Sequence, residues 1–218
     1  MKKLFLVVVL VSAVVFGAFA QSGVIRELSG DVELKPAGAS SFTAAKTGDT
    51  VARDTIVSTG FKSTAIITIG SSTITVRPLT RLSLSEIQSS SGAENVNVNL
   101  QTGKVRVDVK PPAGTKTNFT IQSPAATASV RGTSFEFDTV NLTVNEGTVS
   151  FGGVSGAPAA MVQAGESSFI RADGHAASPA EISAAALLPP MPVGADTSVE
   201  TSSSPAHPTG EITILPQY

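Results

Sequence analysis

Apolar and polar residues alternate along most of this chain, with the period of a strand rather than of a helix. Val24 to Leu28 gives a first short strand, Ser29-Gly30 interrupts it, and Val32 and Leu34 alternate with Asp31 and Glu33 in a second. Pro36 closes this hairpin-like unit. A polar, Ala-rich link leads to the turn Gly48-Asp49, and Thr55-Ile56-Val57 then runs to Ser58-Thr59-Gly60. The clearest hairpin follows: Ala65, Ile67 and Ile69 alternate with polar or outward positions, Gly70-Ser71-Ser72 turns, and Ile74 and Val76 return. Beyond Pro78, Leu82 and Leu84 form another alternating pair ahead of the cluster Ser89 to Gly92.

Asn95 to Leu100 sets asparagines on one face and aliphatics on the other, and Val105, Val107 and Val109 repeat the pattern after Gln101-Thr102-Gly103. So short a join predicts that these two runs are antiparallel neighbours with one dry face and one wet face. Pro111 to Gly114 reads as a loop, Phe119 to Gln122 as a strand, and Ala125 to Ser129 as a passage of small residues. Next comes Val130-Arg131-Gly132-Thr133-Ser134-Phe135-Glu136-Phe137, in which one charged side chain sits beside a glycine between two apolar runs. Asn141 to Val144, the turn Asn145-Glu146-Gly147, and Val149 with Phe151 come after it. A last hairpin is expected from Ala160-Met161-Val162 and Ser168-Phe169-Ile170 around Gly165-Glu166.

Strands at this spacing predict an all-β fold, either an antiparallel β-sandwich or a β-roll, a solenoid-like stack of short strands. Gly30-Asp31-Val32-Glu33-Leu34, Gly103-Lys104-Val105-Arg106-Val107 and Gly147-Thr148-Val149-Ser150-Phe151 share one signature of glycine, polar, apolar, polar, apolar. Each glycine is expected at a tight turn that launches a half-buried strand, as in repeated hairpin or coil units stacked on one core.

The termini differ in kind from this body. Lys2-Lys3, an apolar run from Leu4 to Val15 and the pattern Ala18-Phe19-Ala20 read as a cleavable signal peptide over residues 1–20, with Gln21 as the first mature residue. An uncleaved anchor is the alternative, although the run is short for a bilayer span of about 20 residues. The β domain is then expected over 21–174, followed by a tail over 175–218. In that tail Ser178-Pro179-Ala180-Glu181 has the form of a capping box and predicts a short helix near 179–188, stopped by Pro189-Pro190. The Pro-, Ser- and Ala-rich stretch beyond it is expected to be disordered, with Ile212, Ile214 and Leu215 as a frayed end or a strand for an open edge.

Composition narrows the function classes. Lys2 and Lys3 precede the body and four of the acids follow it, which leaves the two signs equal in number between Gln21 and Gly174. No basic stripe for nucleic acid is present. Cysteine is absent, and with it disulfides, thiol catalysis and a lipidated N-terminal cysteine. The two histidines, His175 and His207, fall in the tail, so a Ser-His-Asp triad is not expected. Acids come singly, and Asp49 with Asp54 reads as a pair of solvated turn residues rather than a calcium site. Glu136 and Asp138 share one face of a strand and are the best carboxylate pair for a glycosidase or lyase, but a solvated outer face opposite Phe135 and Phe137 is the expected reading. Without tryptophan and with a single tyrosine, sugar stacking is weakly provided for. No catalytic residue, cofactor site or metal site is therefore expected. Arg131 is read as satisfying carbonyls or a carboxylate at the Gly132 bend, or else as clamping an anionic group of a ligand.

The ordered set of Gly30-Asp31-Val32, Gly48-Asp49 to Gly60, the Ile67 to Val76 hairpin with Pro78, Leu100 to Val105, Thr127 to Phe137 and Glu146 to Val149 resembles a FecR domain. The match runs from Val24 to Phe151, with Arg131, Gly132, Thr133 and Phe135 as its most specific core. The resemblance implies a non-enzymatic, all-β domain outside the cytoplasmic membrane that works by protein contact or sensing. In the family's regulators it relays the state of an outer-membrane receptor to a sigma factor. This sequence shows no cytoplasmic anti-sigma segment and no internal span. The expected role is thus a stand-alone binding, sensing or scaffolding module, periplasmic or secreted. Its expected partner is an envelope protein or cell-wall component, with neither nucleic acid nor stable membrane insertion after cleavage.

Overall fold

A computed structural model describes residues 22–90, 93–111 and 116–186. Residues 1–21, 91–92, 112–115 and 187–218 lie outside the described residues, and with them the expectations of a signal peptide, of most of the Pro111 to Gly114 loop, of the helix beyond residue 186 and of a disordered tail.

Strands form where the alternation places them, but the chain distributes them between two sheets. β1 (Gly23–Ser29) opens the first sheet, and β2 (Val32–Lys35) with β3 (Thr43–Ala44) opens the second. The chain returns to the first for β4 (Thr50–Val51), crosses for β5 (Ile56–Thr59), and comes back for the hairpin β6 (Thr64–Ile69) and β7 (Ser72–Val76). β8 (Arg81–Ser90) and β9 (Ala93–Thr102) extend the second sheet, and β10 (Lys104–Asp108) the first. β11 (Lys116–Gln122) and β12 (Ala126–Val130) lie in the second sheet, β13 (Ser134–Asp138) and β14 (Asn141–Glu146) in the first. β15 (Thr148–Gly153) and β16 (Ala160–Gln163) complete the second, and β17 (Ser167–Phe169) the first.

Apart from β4 and β3, which fold back to the outer edges beside β1 and β2, both sheets therefore grow in chain order. The first reads β4-β1-β6-β7-β10-β13-β14-β17 and the second β3-β2-β5-β8-β9-β11-β12-β15-β16. Pairing is antiparallel except between β9 and β11, which are parallel because the chain crosses to β10 and back between them. The inward side chains of both sheets make one core, with Phe119 and Phe151 from the second sheet and Phe135 and Phe137 from the first fully buried. Phe137 meets Phe151 edge to face across the layers, at 6.0 Å between ring centroids.

Three expected pairings are corrected by this arrangement. β9 and β10 are not neighbours: β9 pairs with β8 and β11, while β10 pairs with β7 and β13 in the opposite sheet. β1 and β2 are likewise split between the sheets, so Val24 to Pro36 is no hairpin. β16 and β17 exist where the sequence puts them but join β15 and β14 respectively, not each other. A short loop between two amphipathic strands suits a hairpin and a crossing equally, and alternation alone does not say which.

Backbone conformation decides the matter. The signature glycines Gly30, Gly103 and Gly147 have φ of 75°, 91° and 80° and stand at crossings, not at hairpin turns. Each is also a point of close approach. A Cβ on Gly103 would lie 2.3 Å from Thr80 Oγ1 and 2.5 Å from Thr80 Cα, and one on Gly147 would lie 2.6 Å from Thr133 Cγ2. Ser63 fills the corresponding place at Gly30. Ser63, Thr80 and Thr133 are all buried, so every signature glycine receives a β-hydroxyl residue from a neighbouring crossing.

The expected helix forms as α1 (Pro179–Ala186). Glu181 N–H donates to Ser178 Oγ at 3.3 Å and Ser178 N–H to Glu181 Oε2 at 2.8 Å, which is the reciprocal cap its sequence announces. Ser168 Oγ donates to the Ala177 carbonyl at 2.6 Å and ties the approach to α1 onto β17. Among the described residues no helix is long and apolar enough to cross a membrane.

Gly103→Ala and Gly147→Ala are each expected to lose about 1–2 kcal/mol for left-handed backbone and a further ~1–3 kcal/mol for the displaced threonine. Gly156→Ala, also at positive φ but with open space around it, should lose only the first amount. Urea unfolding of the three variants measures the difference, and equal losses would contradict the packing argument.

Candidate functional site

The most specific sequence element, Val130 to Phe137, is the crossing from β12 to β13. Val130 ends one strand in the core, Gly132 turns at φ 70°, and Phe135 re-enters the core with no exposed surface. Thr133 is buried against Gly147, and its carbonyl accepts the Val109 N–H at 2.8 Å. Pro111 closes over Gly132 at 3.3 Å from where a Cβ would stand. Three of the four motif residues thus hold the sheets together. Arg131 alone is exposed, and it makes no hydrogen bond or ion pair with the described residues.

Four of the five buried side-chain oxygens without a hydrogen-bond partner gather at the same end of the sandwich: Ser71 Oγ, Ser72 Oγ, Glu94 Oε1 and Thr117 Oγ1. Glu94 and Thr117 are register partners in β9 and β11 and both point inward. A Cβ on Gly70 would overlap the Glu94 carboxylate, so the β6–β7 turn rests directly on that group. Glu94 is only 5 % exposed, and burial holds its carboxyl above the usual carboxylate range. Sequence reasoning did not single out Glu94, although its period-two phase with Val96 and Val98 places it inward.

The other chemical candidates are occupied locally. Glu136 pairs with Arg77 at 3.5 Å, flanked in register by Arg106. Asp138 Oδ1 accepts the N–H groups of Val140 and Asn141, at 3.1 and 2.8 Å, and closes the β13–β14 turn. Asp49 Oδ2 accepts the Lys46 N–H at 2.8 Å, and Asp54 sits at φ 59° beside Arg53. Among the described residues no three His, Cys, Asp or Glu side chains form a cluster able to hold a metal ion. His175 approaches Asp173 at 3.4 Å, and the Asp173 carboxyl is lowered chiefly by the His175 N–H; Glu181 is lowered by its bonds from Ser178 and then Arg171.

At the opposite end of the sandwich, the loops after β5 and β7 carry side chains that periodicity does not single out. Phe61 and Leu79 project into solvent there, and a cavity of about 260 Å³ opens beside Leu79, lined also by Ser58, Thr59, Thr80, Arg81 and Thr102. The only sequence signal was an aromatic directly after Gly60 and an aliphatic directly after Pro78, both within loops.

With this geometry in view, comparison with known proteins is informative. A family model described as FecR protein matches residues 54–150, from just before β5 to the middle of β15. Residues 54–150 match a FecR domain. The two sheets continue past the FecR match on both sides, through β1 to β4 and through β16 and β17. Two crystal structures of a proposed anti-sigma factor from Parabacteroides distasonis are similar at 14% identity and a TM-score of 0.45. The alignments cover 60% and 59% of this chain and 64% and 62% of theirs, so less than two thirds of those relatives is spanned. No curated protein matches the chain.

Glu94 gives the site a testable pH dependence. A carboxyl raised in the folded state stabilises the fold below its unfolded value, and that contribution disappears as pH rises through its folded value. The wild type is therefore expected to lose stability relative to Glu94→Gln as pH increases, whereas the lowered Asp173 and Glu181 are common to both proteins and cancel. Denaturant unfolding of the pair between about pH 4 and 8 measures this. A difference independent of pH, or one of opposite sign, would contradict it.

Proposed function

We propose that this is an exported, non-enzymatic FecR-domain protein that acts as a binding, sensing or scaffolding module in the cell envelope. The observation that carries the reading is the FecR match over β5 to β15, the part of the sandwich whose crossings are locked by Thr80 on Gly103 and Thr133 on Gly147. Such a body offers fixed surfaces for contact. Its carboxylates Asp49, Asp138 and Glu136 are spent on turns and an ion pair, which is the arrangement expected of a surface and not of an acid–base pair. Arg131 supports the same reading, because it is the one motif residue exposed at the surface. The leader Lys2 to Ala20 carries the proposal of export to the periplasm or beyond, with an envelope protein or cell-wall component as the contact.

The tagged full chain, expressed in its native cells and crosslinked before lysis, tests this. It is expected in the envelope or culture fraction, beginning at Gln21 by mass and held in a crosslinked species larger than itself. Arg131→Ala should keep the unfolding free energy within about 0.5 kcal/mol and reduce that species. Recovery of an uncleaved chain from Met1 would replace the stand-alone module with an anchored regulator, and recovery only as an uncrosslinked monomer would contradict contact altogether.

A further inference from the structure

Resting on the contact reading above, we propose that the end of the sandwich around Phe61 and Leu79 is a docking surface in its own right, separate from the Arg131 end. Its occupant is an extended segment of a partner protein that carries an aliphatic or aromatic side chain flanked by carboxylates.

Phe61 is 71 % exposed and Leu79 60 %, in two loops that meet on one end of the fold. Leu79 is also held at φ 55° and Lys62 at φ 56°, where an L-residue with a long side chain is disfavoured. Glycine or asparagine fits that backbone better and exposes no apolar surface. Neither core packing nor backbone geometry therefore explains a leucine at 79; contact with something apolar does.

The loops are fixed beforehand. Leu79 N–H donates to the Gly60 carbonyl at 3.2 Å, Thr80 N–H to Thr59 Oγ1 at 3.0 Å, and Thr59 N–H back to the Thr80 carbonyl at 2.9 Å. Thr59 Oγ1 donates to the Arg77 carbonyl at 2.7 Å. Thr80 is in turn the residue packed on Gly103, so the surface is anchored in the crossing lock and little ordering cost attends binding. The cavity beside Leu79 has room for one aliphatic or aromatic side chain.

Charge selects the flanks of that side chain. Lys62 Nζ lies 5.6 Å from the Phe61 ring centre, and Lys35 and Arg81 lie 5.8 and 5.5 Å from that of Phe42. None of these cations has an ion pair among the described residues, whereas nearby Arg77 is paired with Glu136. Lys104 faces Asp138 in register, which leaves Lys35, Lys62 and Arg81 against the two carboxylates Asp31 and Glu33 around these loops. An apolar anchor between acidic neighbours is complementary to this surface, and a basic segment is excluded by it.

The test places a photoreactive benzoylphenylalanine at position 61 of the full chain in its native cells, with the same group at Val154, an equally exposed apolar position, as control. An adduct is expected at 61 and not at 154, and the crosslinked peptide, sequenced by mass spectrometry, should carry Asp or Glu within a few residues of an aliphatic or aromatic side chain. Leu79→Asn and Arg81→Glu should each lower the adduct yield by about fivefold or more, while the unfolding midpoint of Leu79→Asn stays level or rises as backbone strain is released. Equal adducts at both positions, or a crosslinked peptide that is basic, a glycan, a lipid or a second copy of this chain, would overturn the proposal. So would an envelope complex that survives both substitutions, an outcome that leaves the contact reading standing. Loss of every crosslinked species, including that of the unsubstituted chain, would instead remove the contact reading itself.

Discussion

The architecture depends on one steric fact: at the crossings between sheets, a buried Ser or Thr occupies the place where a neighbouring residue would have its Cβ. Thr80 does so at Gly103, Thr133 at Gly147 and Ser63 at Gly30. The hydroxyls add directed bonds. Thr80 Oγ1 accepts the Lys104 N–H at 3.0 Å, and Ser63 Oγ accepts the Asp31 N–H at 2.8 Å. Backbone groups that a crossing would leave bare are thereby satisfied inside the fold. Thr133 is the exception, because its own Oγ1 has no partner among the described residues and its contribution there is packing. With the crossings locked, each strand from β5 onward is added to its sheet in chain order, and both sheets lengthen together without long excursions.

The same constraint joins fold to function. Gly60, Thr59 and Thr80 make up the bonded frame that exposes Phe61 and Leu79 at one end, while Gly132 and Thr133 present Arg131 at the other. The outer face of the first sheet spends its charges on Arg77 with Glu136 and Arg106 with Asp108, whereas Asn95 and Asn118 bond to each other on the second. The exposed Phe61, Leu79 and Arg131 lie at the ends of the sandwich, on the crossings, where a β scaffold ordinarily carries its variable loops.

Much of this was legible from residue order. Period-two alternation placed the inward residues correctly from Ile67 to Phe151, and Ser178 with Glu181 announced the helix cap. The Arg131 to Phe135 core and its ordered companions pointed to the family later matched over 54–150. Sheet membership was not legible. Asn95 to Leu100 and Val105 to Val109 look like two arms of a hairpin, and only the φ of 91° at Gly103 and the body of Thr80 behind it turn the chain to the other sheet. Glu94 and the Phe61–Leu79 end were equally hidden, since a carboxylate turned inward and an apolar side chain turned outward both run against the rule by which periodicity is read.

Native-state hydrogen exchange tests the crossing lock most directly. If the crossings are the joints on which the sheets depend, the amides of Asp31, Thr80 and Lys104 open only with the whole domain, and their protection equals that of core amides such as Val107 in β10. Exchange at these three positions through low-energy local fraying, while the strands remain protected, would contradict the account.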